Sequence, residues 1–339
     1  MSSPPISPQT SLWKRSAPAL LLMLAAPMAT EVLPGATRFS SIFVLPIEIC
    51  VWGGGSLLIR EIVRRRQLGW RSMLFLALAL AIAEECLIQQ TSLAPLVLQL
   101  KGQVYARAYG VNYVYLLWAL VYEAVFVVFV PVYLVELVFR ERRENAWVSR
   151  GGVVAVVIFF FLGCFLAWFT WTRIAREKVF HVPLFTPPLI AVLIAVAAIA
   201  GLFFAALRSA SLAKSNASSP SNPPTPWLVG GAGGVWAVLW YGLVVLGFGA
   251  FPEFPPAIAS IGGLLLVVAM LLVVPRWTAS PGWEPRHVFG LGFGTLLGAM
   301  LVGFIGFMGP PNKDLYFKII TNVIAIGLLV KLGTRISRA

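Results

Sequence analysis

Ten apolar runs, each close to the roughly 20 residues that an α-helix needs to cross a hydrocarbon layer, recur between residues 17 and 332. They fall at 17–34, 42–60, 72–91, 113–138, 152–172, 184–207, 227–250, 256–275, 287–308 and 316–332. Backbone polar groups in lipid must be satisfied within the structure, which leaves helices and closed β-barrels as spanning elements. Barrel strands alternate polar and apolar residues, and these runs do not. Only 12% of the residues are charged and 59% are hydrophobic, against about 25% charged in a soluble domain. The sequence therefore predicts an all-α, polytopic transmembrane bundle of about ten spans.

Lys and Arg in the connections set the orientation. With a cytoplasmic N-terminus, the inner segments carry Lys14 and Arg15, the group from Arg60 to Arg71, the group from Arg140 to Arg150, Arg208 and Lys214, Arg276 and Arg286, and Lys331 to Arg338. These hold most of the 26 basic residues. Both termini are thus expected in the cytoplasm and the chain in a bacterial cytoplasmic membrane. The net charge of +13 belongs to these short loops. It argues for contact with the bilayer and its anionic headgroups and against nucleic acid. Lys14 and Arg15 followed by Leu20–Met28 resemble a signal peptide, but Pro27 spoils the cleavage site and an uncleaved first span is expected.

The organisation follows from these runs. A tail, 1–16, precedes a four-span core at 17–150 and two further spans at 151–207. A linker rich in Ser, Pro and Asn, 208–226, leads to a Gly-rich four-span bundle at 227–339. The two halves differ in span number and acid content, unlike a simple inverted-repeat transporter.

Five glutamates sit inside the first four spans: Glu31, Glu48, Glu84, Glu85 and Glu123. An acid at the bilayer centre costs about 2.5–3.5 kcal/mol on insertion scales and marks a functional candidate. Four are expected in the outer half and Glu123 near the midplane, with no Lys or Arg at that depth. Several carboxylates in one low-dielectric site cannot all stay ionised. Such a site holds protons, a small cation or a basic ligand. Gln89, Gln90, Thr91 and Asn112 are the available hydrogen-bond partners, and Gln89 joins the candidate set. Gly53-Gly54-Gly55 either breaks span 2 or lets a neighbouring helix approach. Glu61 and Arg65 have i,i+4 spacing, Arg64–Arg66 are expected to anchor the interface, and Arg60 is expected to meet Glu136 as a structural lock. Gly294, Gly298, Gly303, Gly306 and Gly309 read as a packing stripe.

Other chemistries are excluded. Cys50, Cys86 and Cys164 lack metal spacing and imply no disulfide framework. His181 and His287 are expected on opposite sides of the membrane, so no histidine-rich zinc site forms. The Gly290–Gly294 segment lacks the strand and acid of a dinucleotide loop. No metal site or cofactor is predicted.

Two resemblances follow. The segment from Gly53 to Thr91 resembles an uncharacterised group of bacterial multi-pass membrane proteins. The resemblance rests on Gly55, Leu58-Ile59-Arg60-Glu61, Arg64-Arg65-Arg66, Gly69-Trp70 and Glu84-Glu85, then Pro131 and Glu136. It implies a shared fold without a known activity. More distantly, Glu84-Glu85 resembles the paired glutamates of the CAAX-protease and bacteriocin-processing (Abi) family of intramembrane peptidases. Gln89 stands where that family has an Arg, and Glu123 where a histidine is expected, so the resemblance implies lost or altered peptidase chemistry. Three functions are open: a transport-like protein with a proton, cation or basic-ligand site; a peptidase-like enzyme, or an inactive relative, with Glu84 and Glu85 at its centre; and a structural or assembly subunit.

Overall fold

Apolar surface faces outward over much of this molecule. A computed structural model describes residues 12–97, 105–209, 222–251, 253–307 and 309–338. The described residues are 79% helical. The helices are α1 (Leu12–Pro27, continued by a π turn at Met28–Val32), α2 (Phe39–Arg65), α3 (Trp70–Ile82, then a π turn at Ala83–Ile88), α4 (Tyr113–Val138), α5 (Arg150–Val179), α6 (Leu189–Arg208), α7 (Pro226–Val244, then a π turn at Val245–Ala250), α8 (Pro256–Thr278), α9 (Pro285–Val302, extended by a 3₁₀ turn at Gly303–Phe307) and α10 (Lys313–Arg338). A two-residue β-ribbon, β1 (Arg107–Ala108) with β2 (Val111–Asn112), precedes α4.

Among the described residues, eight helices are long and apolar enough to cross a membrane. The two other expected spans correspond to α1, a shorter apolar helix, and to α3, which carries Arg71, Glu84 and Glu85. Boundaries differ from expectation where local chemistry decides. The sixth span begins at Leu189 rather than 184, because Pro187 and Pro188 each disfavour helical dihedrals in the residue before them, and Pro188 itself is extended (ψ 138°). α5 runs on to Val179 despite three basic residues. The expected linker lies mostly at 210–221, outside the described residues.

α4 is the hub: 67% of its apolar window is buried, against 11% in α6, α8 and α10. The exposed faces of α5, α6 and α8 present Phe, Leu, Ile and Val, among them Phe161 and Leu265, an inversion that suits lipid and not water. One core packs α1, α2 and α3 against α4 through Leu22, Leu57, Met73 and Val128. A second packs α4 against α7 and α9 through Phe126, Trp240 and Ala299.

Small residues set the closest approaches. Gly53 keeps helical dihedrals (φ −65°, ψ −47°), and a Cβ there would collide with the Met23 backbone of α1. The triple glycine is therefore a crossing point, and α2 is not broken at it. α7 and α9 run parallel, with Gly230 and Gly234 pressed against Gly290, Gly294 and Gly298. The expected glycine stripe is corrected here. Gly290 belongs to it, Gly303 packs instead on Pro34, and Gly309 has nothing within van der Waals reach.

Candidate functional site

Glutamates occupy two regions of this bundle in opposite electrostatic states. At the arginine-rich end, α2 and α4 meet in a fully paired lattice. Arg60, without solvent exposure, binds Glu136 (Nε–Oε1 3.2 Å) and Glu61 (Nη1–Oε1 3.1 Å). Arg64 grips Glu136 with two nitrogens, at 2.8 and 2.6 Å. Arg65 reaches Glu61 across one helical turn at 2.9 Å. The rest of the Arg60 fork donates to the carbonyls of Asn145 and Arg143, at 2.7 and 2.6 Å. Its face lies 3.5 Å from the Trp147 ring centroid, while the Trp147 amide donates to Glu61. The expected Arg60–Glu136 lock is present and larger than foreseen. Arg64 and Arg65 join it as well, and Arg66 stands exposed. Planar forks matched to carboxylates make such pairs strong.

The five predicted site acids lie in the other half of the bundle. Glu31 interacts with Glu48, Glu84 and Glu85, and Glu123 with Glu84, Glu85 and Glu31. The structure thus brings Glu31, Glu84, Glu85 and Glu123 together, with Glu48 joined through Glu31. Glu84, 2% exposed, has no hydrogen-bond partner on either carboxyl oxygen. Gln89 approaches it. One oxygen each of Glu48 and Glu123 is likewise buried and unpartnered. Glu85 accepts from the Ser92 hydroxyl at 2.8 Å, and Glu48 from the Thr37 hydroxyl. The strongest charges acting on Glu31, Glu84 and Glu123 are those of other glutamates.

Two further buried cations, Lys318 and Arg176, do not pair with these acids. Both donate to backbone carbonyls instead: Lys318 to Leu33 at 2.8 Å, and Arg176 to Pro95 at 3.1 Å and Pro183 at 3.2 Å. Among the described residues, no group of three His, Cys, Asp or Glu side chains could hold a metal ion. His287 stacks on Trp283, with ring centroids 5.1 Å apart, and His181 lies in the loop after α5.

Each acid-bearing helix changes its winding at the acid. Glu31 lies in the π turn Met28–Val32 and Glu48 immediately before Ile49–Gly53. Glu84 and Glu85 lie in Ala83–Ile88, and Glu123 opens Glu123–Phe129. A π turn inserts an extra residue and frequently marks a functional position. Beyond the acid pair, Gln90 takes a left-handed conformation (φ 61°). The chain then doubles back, and the Ser92 amide donates to the Glu85 carbonyl at 3.2 Å. Of the other polar partners foreseen for the acids, Asn112 instead ties Thr91 and Ala94 carbonyls to the ribbon. Gln90 bonds Leu87, and Thr91 leaves its buried hydroxyl unpartnered.

Three tyrosines complete the site. Tyr115 reaches Glu85 and interacts with Glu84, Glu123 and Glu31. Tyr122 donates to the Thr30 carbonyl and meets Tyr241 edge-on, with centroids 5.6 Å apart. Tyr241 interacts with Glu31. The aromatic spacing Tyr115, Trp118, Tyr122, Phe126 places these α4 residues along one stripe, a signal that the sequence did carry. Tyr241 comes from α7, in the Gly-rich half of the chain, and had no such signal. A cavity of about 220 Å³, lined by Thr91, Pro95, Leu96, Tyr115, Trp171 and Arg176, touches the site through Tyr115.

No family model, curated protein or solved structure matches the chain. The resemblances drawn from Gly55 to Glu136 therefore rest on those residues alone.

Proposed function

We propose that this is a transport-like membrane protein whose carboxylate pocket, centred on Glu84 and Glu85, takes up and releases protons. The observation that carries the reading is the contrast between its two groups of glutamates. Glu61 and Glu136 are neutralised by arginines. Glu84 and Glu123 are buried with carboxyl oxygens unpartnered, Glu31 and Glu85 lie against them, and among the described residues no basic side chain is bonded to the group. An ionised carboxylate so placed costs of order several kcal/mol, so the pocket neutralises itself with protons or with a basic ligand. A dehydrated divalent cation is the less supported choice, because three-ligand geometry is lacking among the described residues. The cavity ending at Tyr115 supports a route by which protons reach Glu85. The bacterial cytoplasmic membrane, with both termini inside, is the location that the basic loops favour.

Peptidase chemistry at the same pair requires a base and an electrophilic partner within hydrogen-bond reach. The neighbours of Glu84 and Glu85 are Ser92, Gln89, Tyr115 and other acids, which supports proton handling over peptide cleavage. An assembly role would leave the pocket inert to pH.

The experiment is proton flux in proteoliposomes holding a trapped pH dye under an imposed pH gradient. The parent should dissipate the gradient and Glu84→Gln/Glu85→Gln should hold it. Infrared difference spectra of the purified protein should lose a titrating carboxyl band in the double variant. Equal flux and equal spectra in parent and double variant would end the proposal.

A further inference from the structure

A second cavity, of about 810 Å³, runs between α3, α4, α7, α8 and α9, on the far side of α4 from the acids. Its size lies in the range of about 300–1,000 Å³ typical of ligand sites. Val121, Ala124 and Val125 of α4 line it, whereas Glu123 turns to the carboxylate pocket. Its wall is apolar from Leu266 to Met270 on α8 and from Leu74 to Leu78 on α3. It opens sideways past Val235 and Leu239, which are 62% and 50% exposed. In a membrane that opening faces hydrocarbon.

One end differs in chemistry. Trp70, Trp277 and Trp283 close the cavity at the arginine-rich end. Arg71 lies there with its guanidinium 5.7 Å from the Trp70 ring centroid, and Arg276 is exposed beside Trp277. Tryptophans settle at the headgroup level, and basic residues next to them attract anionic headgroups. From Leu266 to Thr278, α8 follows the cavity for about 18 Å at 1.5 Å per residue, close to one leaflet, about half of a 30 Å hydrocarbon core.

We infer that this groove binds an anionic phospholipid, with an acyl chain between α4 and α8 and its phosphate at Arg71 and Arg276. The aromatic rim fixes the depth of the headgroup, the apolar wall receives the chain, and the arginines select its charge. This site stands apart from the proton pocket and does not depend on it.

Gly231 lines the groove, and a Cβ there would meet nothing within 4 Å, so Gly231→Phe with Ala269→Phe fills the groove from exposed positions. The test is native mass spectrometry of the full chain released from nanodiscs containing phosphatidylglycerol and phosphatidylcholine. The parent should retain phosphatidylglycerol in preference, and the filled variant should lose it by more than about tenfold, as expected when several methylenes are displaced. Arg71→Ala/Arg276→Ala should weaken phosphatidylglycerol binding by about 30-fold, the conversion of roughly 1 kcal/mol for each of two arginines, and leave phosphatidylcholine unchanged. Equal retention by parent and filled variant, no headgroup preference in the parent, or a lipid-free dimer sealing the groove would each overturn the inference. Should the filled variant fail to fold, phosphatidylglycerol with brominated acyl chains should quench the parent's tryptophan fluorescence saturably, with Trp236→Phe removing part of that quenching. Quenching that only rises in proportion to the lipid fraction would overturn it as well.

Discussion

Glutamate behaves here as two different residues, and the difference lies in what surrounds it. Glu136 balances Arg60 and Arg64 in a buried lattice, so Glu136→Gln should lower stability by about 3–5 kcal/mol, the usual cost of leaving a buried charge unpaired. Glu84 has no hydrogen-bond partner. Replacing it by Leu should raise stability by about 1–3 kcal/mol, because an unsatisfied buried polar group is removed. Thermal denaturation of the two variants in the same detergent checks both signs, and a loss at Glu84 would mean that its carboxyl has a stabilising partner. The residues themselves were legible in the sequence, since a charge inside an apolar run stands out at once. Which acids would be neutralised was legible only for Glu61 and Glu136, through the i,i+4 spacing of Arg65 and the matching depth of Arg60. The burial of Lys318 was not anticipated. Its ammonium is held by a backbone carbonyl and lies 4.5 Å from the Phe304 ring centroid, contacts that no residue pattern announces.

Among the helices, close approach and altered winding carry the design. Gly294 faces the carbonyl of Gly230 without room for a Cβ, so Gly294→Val should force α7 and α9 apart and lower the Tm sharply. Gly231→Ala, with open space, should be neutral or raise stability by up to about 1 kcal/mol through helix propensity. Comparing the two melting curves separates packing from propensity. The π turn Glu123–Phe129 makes a second prediction. Deleting Val127 takes out the residue that this turn absorbs, so α4 should return to ordinary winding with Glu123 and Glu136 still facing their present neighbours. An extra Ala inserted within residues 132–135, where the winding is already regular, should instead rotate one half against the other by about 100°, one residue's share of a 3.6-residue turn. The insertion should lower the melting temperature far more than the deletion, and equal losses would mean that the turn absorbs no extra residue. Helix positions were readable because hydrophobic length decides them in lipid. The π turns were not, because the extra residue is accommodated by tertiary packing and not by local composition. The one proline of α4, Pro131, lies eight residues beyond the start of the change of winding at Glu123.

Across the whole molecule, the basic loops predict that the lattice end is cytoplasmic. In a cysteine-free background, Tyr109→Cys should react with an impermeant maleimide on intact cells, and Glu141→Cys only after permeabilisation; the reverse pattern would invert the orientation. Tyr109 suits this use because it is fully exposed at the tip of the β-ribbon. The general architecture was legible, since repeated apolar runs admit few alternatives. The convergence of the acids, the participation of α7 through Tyr241 and the groove beside α4 all depend on which distant helices meet, and hydropathy is blind to that. The contacts of α10 carry a consequence in time. Asp314 receives Ser40 at 2.9 and 3.0 Å, Lys318 holds the Leu33 carbonyl, and Arg38 reaches back to Gly306 at 3.2 Å. Residues made some 268–285 positions later in the chain therefore close the turn between α1 and α2. Until α10 has been synthesised and docked, that turn, next to Glu31 and Glu48, lacks these restraints, and the segment around the carboxylate pocket reaches its final shape only then.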